Sequence, residues 1–243
     1  MKAASLSDTD RVALAVDIGG TKFAAAIVTP GGEVVVAQRV PTPQTVDPDE
    51  LFEALTRAID ATLQAAGLTF ADPRLLDGIG VGTAAPLDLN SGTLSPVNIP
   101  GWRQFPLRDR LIARYGVPVG MIGDAVAVAI GEHWKGAARG NDNVLGMVVS
   151  TGVGGGLILG GKVMPGATGN AGHIGHVSVD PAGPVCVCGG IGCLEALASG
   201  PSLARWARDS GFNGGDGSAI AVADAAAGGD RVALAAFRRS GAA

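Results

Sequence analysis

Three cysteines fall within eight residues, Cys186-x-Cys188-Gly189-x-x-Gly192-Cys193, and His176 lies ten residues upstream. The chain has no other cysteine. Three thiolates and one imidazole form a tetrahedral set suited to zinc, whose structural sites are closed by four soft or borderline ligands. The two glycines let the backbone turn tightly enough for sulfurs so close in sequence to converge. Two other readings fit the chemistry less well. A disulfide would pair two thiols and strand the third, and three inert buried thiols have no reason to cluster.

Two glycine-rich turns come next. Asp17-Ile18-Gly19-Gly20-Thr21-Lys22 puts a carboxylate at the end of an apolar run, just before glycines that expose backbone N–H groups. Such a turn can hold a phosphate through amides while the carboxylate orients a hydrated Mg2+. It has neither the Walker A nor the G-x-G-x-x-G spacing, and taken alone it also reads as an ordinary hairpin. The stretch Ser150-Thr151-Gly152-Val153-Gly154-Gly155-Gly156 offers a second cradle and a hydroxyl donor. Two such loops, each after a strand, favour phosphate binding.

Asp124 starts a predicted helix that follows a predicted strand over 117–122. It either caps that helix or acts as a general base where strand ends open into a cleft. Asn98, in Asn98-Ile99-Pro100-Gly101-Trp102, is either a turn residue or an amide that recognises hydroxyls. Glu195 is a solvated carboxylate at a helix start or a polar group held by the cysteine loop. His173 is a partner of the metal site, a substrate contact or simply exposed.

The elements that must position these residues are legible. Residues 11–17, 23–29 and 33–40 read as three strands joined by tight turns. Asp47-Pro48-Asp49-Glu50 caps a helix with Leu51, Leu55, Ile59 and Leu63 on its buried face. A strand over 76–81 leads into a long stretch, 82–106, punctuated by proline and glycine, and stretches of that length are usually binding loops. A helix over 107–115, the strand over 117–122 and a helix over 124–134 follow. Strands over 143–150 and 156–159 flank the second glycine turn, predicted over 151–155, and repeat the opening strand–turn–strand pattern. This implies a duplicated, two-lobed α/β architecture, divided into residues 1–122 and 123–243. From Gly200 onwards the chain reads as three helices, with Pro201 in a first turn.

The chain of 243 residues has 47% hydrophobic, 4% aromatic and 16% charged residues, with 39 glycines. Its core is therefore built from small aliphatic side chains. A net charge of -4 excludes a generally basic nucleic-acid surface, though not an anion site made of amides. The first ten residues lack the apolar run of a signal peptide. No apolar run reaches the ~18 residues of a membrane span. A cytoplasmic, reducing location fits thiolate ligands.

Taken together, these motifs resemble the ROK family of bacterial sugar kinases and sugar-responsive regulators. The resemblance runs from Val12 to about Pro201. It rests on D-I-G-G-T-K at 17–22, N-I-P-G-W at 98–102, G-D-A at 123–125, S-T-G-V-G-G-G at 150–156, and G-H-I-G-H followed by C-x-C-G-x-x-G-C-x-E from Gly172 to Glu195. It implies the actin-like ATPase (ribonuclease H-like) fold with ATP in the cleft between lobes, and a hexose or N-acetylhexosamine kinase, glucokinase-like by default. Asp124 would be the base that deprotonates the sugar hydroxyl. Asp17 would orient Mg2+, and Gly19, Gly20, Thr21, Lys22, Thr151, Gly152 and Gly154 would cradle phosphates. Asn98, Asp124, His173, His176 and Glu195 would contact the sugar. His176, Cys186, Cys188 and Cys193 would hold a structural zinc, and the assembly would be a dimer or tetramer.

Three departures from the family pattern bear on these expectations. His173 stands where the family's E-x-G-H motif has glutamate, exchanging a carboxylate for an imidazole with one acceptor when neutral. Gly123-Asp124 replaces Asn-Asp. Family members also continue into a strand and turn that wall the adenine pocket, so the second lobe is expected to be incomplete here. The alternatives are a non-catalytic fragment and a sugar-sensing regulator. Regulators carry a helix-turn-helix ahead of the first strand, for which about ten residues are too few.

Overall fold

In the computed structural model, residues 11–72, 74–83 and 86–243 are described. The first ten residues, on which the signal-peptide expectation rests, lie outside them. The chain forms two compact units. One contains residues up to Ala127 with Lys135–Ala137 and Pro165–Ala171, and the other contains Val128–Trp134, Ala138–Met164 and Gly172–Ala243.

The first unit opens with β1 (Val12–Ile18), β2 (Lys22–Val28) and β3 (Val34–Pro41), an antiparallel meander. Helix α1 (Pro48–Ala66) follows, and its start is set by Asp47, whose side chain accepts from the N–H groups of Asp49 and Glu50. Gly67 ends it at φ 65°, a left-handed conformation that costs glycine little. Leu51, Leu55, Ile59 and Leu63 recur every fourth residue and are all buried, each contributing about 1.5–3 kcal/mol. Strand β4 (Leu75–Thr83) returns parallel to β1. The long stretch after it contains a two-stranded hairpin, β5 (Leu87–Asp88) and β6 (Thr93–Leu94). Helix α2 (Leu107–Tyr115) leads to β7 (Val119–Gly123), parallel to β4, and the sheet order is β3-β2-β1-β4-β7. Helix α3 (Asp124–Lys135) starts directly from β7.

The second unit has a three-stranded antiparallel sheet of β8 (Val144–Val149), β9 (Val153–Leu159) and β10 (Lys162–Val163), with β8 at one edge. Leu145, Met147 and Val149 of β8 are 55%, 56% and 51% exposed. After a single 3-10 turn (Ile174–His176) come α4 (Leu194–Ala198), α5 (Gly200–Asp209), α6 (Ala219–Ala227) and α7 (Arg231–Gly241). The last three close around Leu203, Ala207, Phe212, Val222, Ala233 and Ala236.

The mixed α/β architecture and the two strand–turn–strand units agree with the sequence expectation, whereas the second glycine turn is shorter than predicted. Strand β9 already begins at Val153, and Gly154, Gly155 and Gly156 pair with Val148, Met147 and Gly146. Side-chain bulk is excluded from this ladder by close packing: a Cβ on Gly146 would lie 2.6 Å from Ala129 Cβ. The glycines serve that packing, and only 150–152 form the loop.

Candidate functional site

In the first unit, Asp17 and Asp124 occupy the same end of three parallel strands. Asp17 pairs with Gly82 of β4, and Gly123, next to Asp124, pairs with Thr83. Burial pushes the Asp17 carboxyl up from its ordinary value, the Asp124 charge adds to this, and Lys22 and Arg39 oppose it. A carboxyl held up by burial and by a neighbouring carboxylate is a position that a cation would favour. Asp124 is exposed, and its Oδ1 accepts the N–H of Ala125 at 2.7 Å. That partner is the adjacent residue, whereas an N-cap would hold the second or third helical amide.

The first glycine loop is held from inside. Gly19 N–H donates to Lys22 O at 3.0 Å. Thr42, 5% exposed, donates its hydroxyl to Gly19 O at 2.8 Å and its N–H to Thr21 O at 3.1 Å. The carbonyls of Gly19, Thr21 and Lys22 are thus occupied, and no described hydrogen bond uses the Gly20 or Thr21 amides. Thr42 was missed by the sequence reading, and its only signal is a hydroxyl between two prolines at the end of β3. Asn98 packs directly on this loop, since a Cβ on Gly20 would lie 2.5 Å from Asn98 Cβ. The Asn98 loop is fixed in turn by Trp102, which is fully buried between Phe23 and Phe105 at centroid distances of 5.6 and 4.6 Å. Trp102 Nε1 donates to Pro48 O at 3.2 Å.

In the second unit, the ligand atoms of His176, Cys186, Cys188 and Cys193 all lie within 4.8 Å of one another. His176 Nδ1 is 3.7 Å from Cys186 Sγ, and Cys188 Sγ is 3.7 Å from Cys193 Sγ. Sulfurs about 2.3 Å from a tetrahedral zinc are about 3.8 Å apart, so the residues fit that ion. Gly189 and Gly192 turn the chain at φ 88° and 63°. Burial and the adjacent thiols push Cys193 up to about 12, while the Gly190 N–H donated to its Sγ lowers Cys188. A divalent cation is the counter-charge that three thiolates would need in order to coexist there.

The second glycine loop lies in the same unit. Ser150 N–H donates to Gly152 O at 2.8 Å, and no described bond uses the Thr151 or Gly152 amides. Val153 N–H donates to Glu195 Oε2 at 2.9 Å, and a Cβ on Gly152 would lie 2.6 Å from that same oxygen. His173 precedes the 3-10 turn, and its carbonyl accepts the N–H of His176 at 3.1 Å. An apolar cleft of about 1070 Å3 begins at Ser150 and Thr151 and is lined by Met147, Val149, Leu203 and Phe237 among others. Within each unit the residues picked out from sequence are therefore neighbours: Asp17, Gly19, Gly20, Asn98 and Asp124 in one, Gly152, His176, Glu195 and the cysteines in the other. Gly154 stands apart from its loop, inside β9.

Comparison with known proteins follows the same lines. The model of the ROK family matches residues 13–243. A glucokinase of Halalkalibacterium halodurans is 38% identical over 203 residues, 83% of this chain and 60% of that protein. An N-acetylmannosamine kinase of Escherichia fergusonii is 40% identical over 207 residues, 85% of this chain and 67% of that protein. The chain thus spans about three fifths to two thirds of the length of these curated relatives. The crystal structure of a ROK family glucokinase from Streptomyces griseus in complex with glucose and AMPPNP matches with TM-score 0.75 at 34% identity, over 94% of this chain and 75% of that one.

Proposed function

The chain belongs to the ROK family and has its actin-like ATPase fold, and from that premise we propose that it is an ATP-dependent kinase of a hexose or N-acetylhexosamine. The observation that carries the proposal is the pairing of Asp17 and Asp124 at one end of parallel strands, with a loop of unoccupied amides and Asn98 packed beside them. A phosphoryl-transfer site needs these parts: a base for the hydroxyl, a carboxylate for the metal and amides for the phosphates.

In this reading Asp124 accepts the proton of a sugar hydroxyl as its oxygen attacks the γ-phosphorus. The bond from that phosphorus to the β–γ bridging oxygen breaks, and ADP departs with the electron pair. Mg2+ bound with ATP would supply positive charge for the transferring group, and Asp17 would hold it. The amides of Gly20 and Thr21, with Gly19 and Lys22, offer one phosphate cradle, and those of Thr151 and Gly152 offer another. Gly154, paired within β9, has the weakest claim to this role. Asn98, His173 and Glu195 meet sugar hydroxyls, as does the outer nitrogen of His176, whose Nδ1 faces the thiolates. The apolar cleft that starts at Thr151 receives the nucleoside. The four-ligand cluster holds zinc as a closed structural site, with no position left to activate water. A reducing, cytoplasmic location and a homo-oligomeric assembly complete the proposal.

The test is ADP release by this chain with MgATP and a panel of hexoses and N-acetylhexosamines. Turnover with one sugar is expected, and Asp124→Asn should lower it by about 10²–10⁴-fold with sugar affinity kept. Sugar binding without ADP release would replace the kinase with a sugar-binding protein. Near-normal turnover by the variant would remove Asp124 from the mechanism.

A further inference from the structure

Helix α4 is short, yet the second glycine loop is fastened to its two ends. At its start, Glu195 Oε2 accepts the N–H of Val153 at 2.9 Å. Just past its end, Gly200 N–H donates to Ser150 O at 2.9 Å. These two bonds grip the residues on either side of Thr151-Gly152. A side chain at Gly152 would have to displace the Glu195 carboxylate, whose Oε2 lies 2.6 Å from where that Cβ would be.

The helix is anchored in its turn at both ends. Upstream, Cys193 immediately precedes it and is 1% exposed, and Leu194 N–H donates to Val177 O at 3.0 Å. Downstream, the Arg239 Nη1 and Ser240 Oγ of α7 each donate to Leu197 O at 3.3 Å. A single backbone step therefore separates a metal-ligand sulfur from the helix whose first-turn carboxylate shapes the loop.

We propose that Glu195 is a positioning residue for the second glycine loop, and that the cation held by His176, Cys186, Cys188 and Cys193 thereby sets how well the loop grips nucleotide phosphates. The proposal rests on the kinase reading and adds to it. It gives Glu195 a task on the nucleotide side, distinct from contact with the sugar. Val153 N–H, once paired, cannot turn outward to compete with the Thr151 and Gly152 amides, which stay directed at the ligand. Without the carboxylate that N–H is unsatisfied, and the loop relaxes to find it a partner.

Two readouts test this on the metal-loaded chain, both without sugar. The first is MgADP affinity by calorimetry, and the second is amide hydrogen exchange over residues 148–156. Glu195→Ala is expected to weaken MgADP by about tenfold or more, the scale of a hydrogen bond to a charged group, and to speed exchange at Val153. Glu195→Gln keeps an acceptor at the same reach and should stay within about threefold of the unmutated chain. Glu195→Asp keeps the charge but not the reach, and should behave as the alanine variant does. Chelating the metal from the unmutated chain should reproduce the alanine phenotype, and restoring zinc should reverse it. Equal MgADP affinity and equal exchange in the alanine and unmutated chains would overturn the proposal and confine Glu195 to the sugar. Failure of the unmutated chain to bind MgADP would sink the kinase reading, while the exchange data would still decide whether Glu195 holds the loop.

Discussion

A methyl group at residue 20 has nowhere to go, because Asn98 Cβ already occupies its place. This contact explains why the sequence reading found both residues yet could not relate them: spacing along the chain carries no information about two loops 78 positions apart. Asp17 was legible as a strand-end carboxylate, but its coupling to Asp124 needed the parallel order of β1, β4 and β7. That coupling has a measurable sign. The folded-state pKa of Asp17 lies above its ordinary 3.8, so between the two values the folded chain keeps a proton that the unfolded chain has released. The favourable contribution is therefore complete in acid and is lost as pH rises from 3.8 through the raised value. Asp17→Asn should melt at a higher temperature than the unmutated chain at neutral pH, and thermal melts of the two should converge below 3.8. Melting curves that stay parallel across that range would show that the charge costs the fold nothing.

Among the elements, those with a strong periodic pattern were readable in advance. Helix α1 announced itself by Asp47 and by the four-residue recurrence of its leucines and isoleucine, while its stop at Gly67 came only with the structure. The hairpin β5–β6 and the five-residue α4 went unseen because elements so short display no period. The loop that carries Asn98 has almost no regular structure, and a stack of rings takes its place: Trp102 lies nearly parallel to Phe23 and Phe105, at 6° and 9°. Since Phe23 follows Lys22, the stack ties this loop to the strand that leaves the first glycine loop. Trp102→Ala should destabilise the fold by about 3–5 kcal/mol and raise the sugar KM. Trp102→Phe keeps the stack and should lose only about 1 kcal/mol with the Nε1 hydrogen bond. Denaturant titrations paired with sugar kinetics separate the two, and equal losses in both variants would deny the stack its role.

On the scale of the whole molecule, the segment between Val177 and Cys193 has little core of its own, and in the proposed reading a metal at His176 and the cysteines would hold it. It has two isolated β-bridges, Ser178–Cys193 and Val185–Ile191, and contributes only Cys186 and Cys193 to a small buried cluster with Ala196. Val177, Val185, Val187 and Ile191 are each more than half exposed. Chelation should therefore open this segment to protease while leaving the core built on Leu51, Leu55 and Trp102 intact, and limited proteolysis with mass mapping would detect it. Cleavage that is indifferent to the chelator would remove the metal from the account of stability. The His176–cysteine cluster was the most legible part of the molecule, because its four residues lie within 18 residues of sequence and their chemistry alone suggests convergence. The cleft at Thr151 was invisible, being assembled from strand, loop and helices far apart in the chain.

Strand β8 brings a different concern. It borders its sheet with one row of main-chain groups unpaired among the described strands, and Leu145, Met147 and Val149 stand out from it. Neither lysine, proline nor a bulge interrupts it, and those are the devices that keep sheet edges from adding strands of other molecules. In colloidal terms this makes the chain sticky along one line. This six-residue strand is where self-association is expected as a sample is concentrated, and light scattering against concentration would reveal it.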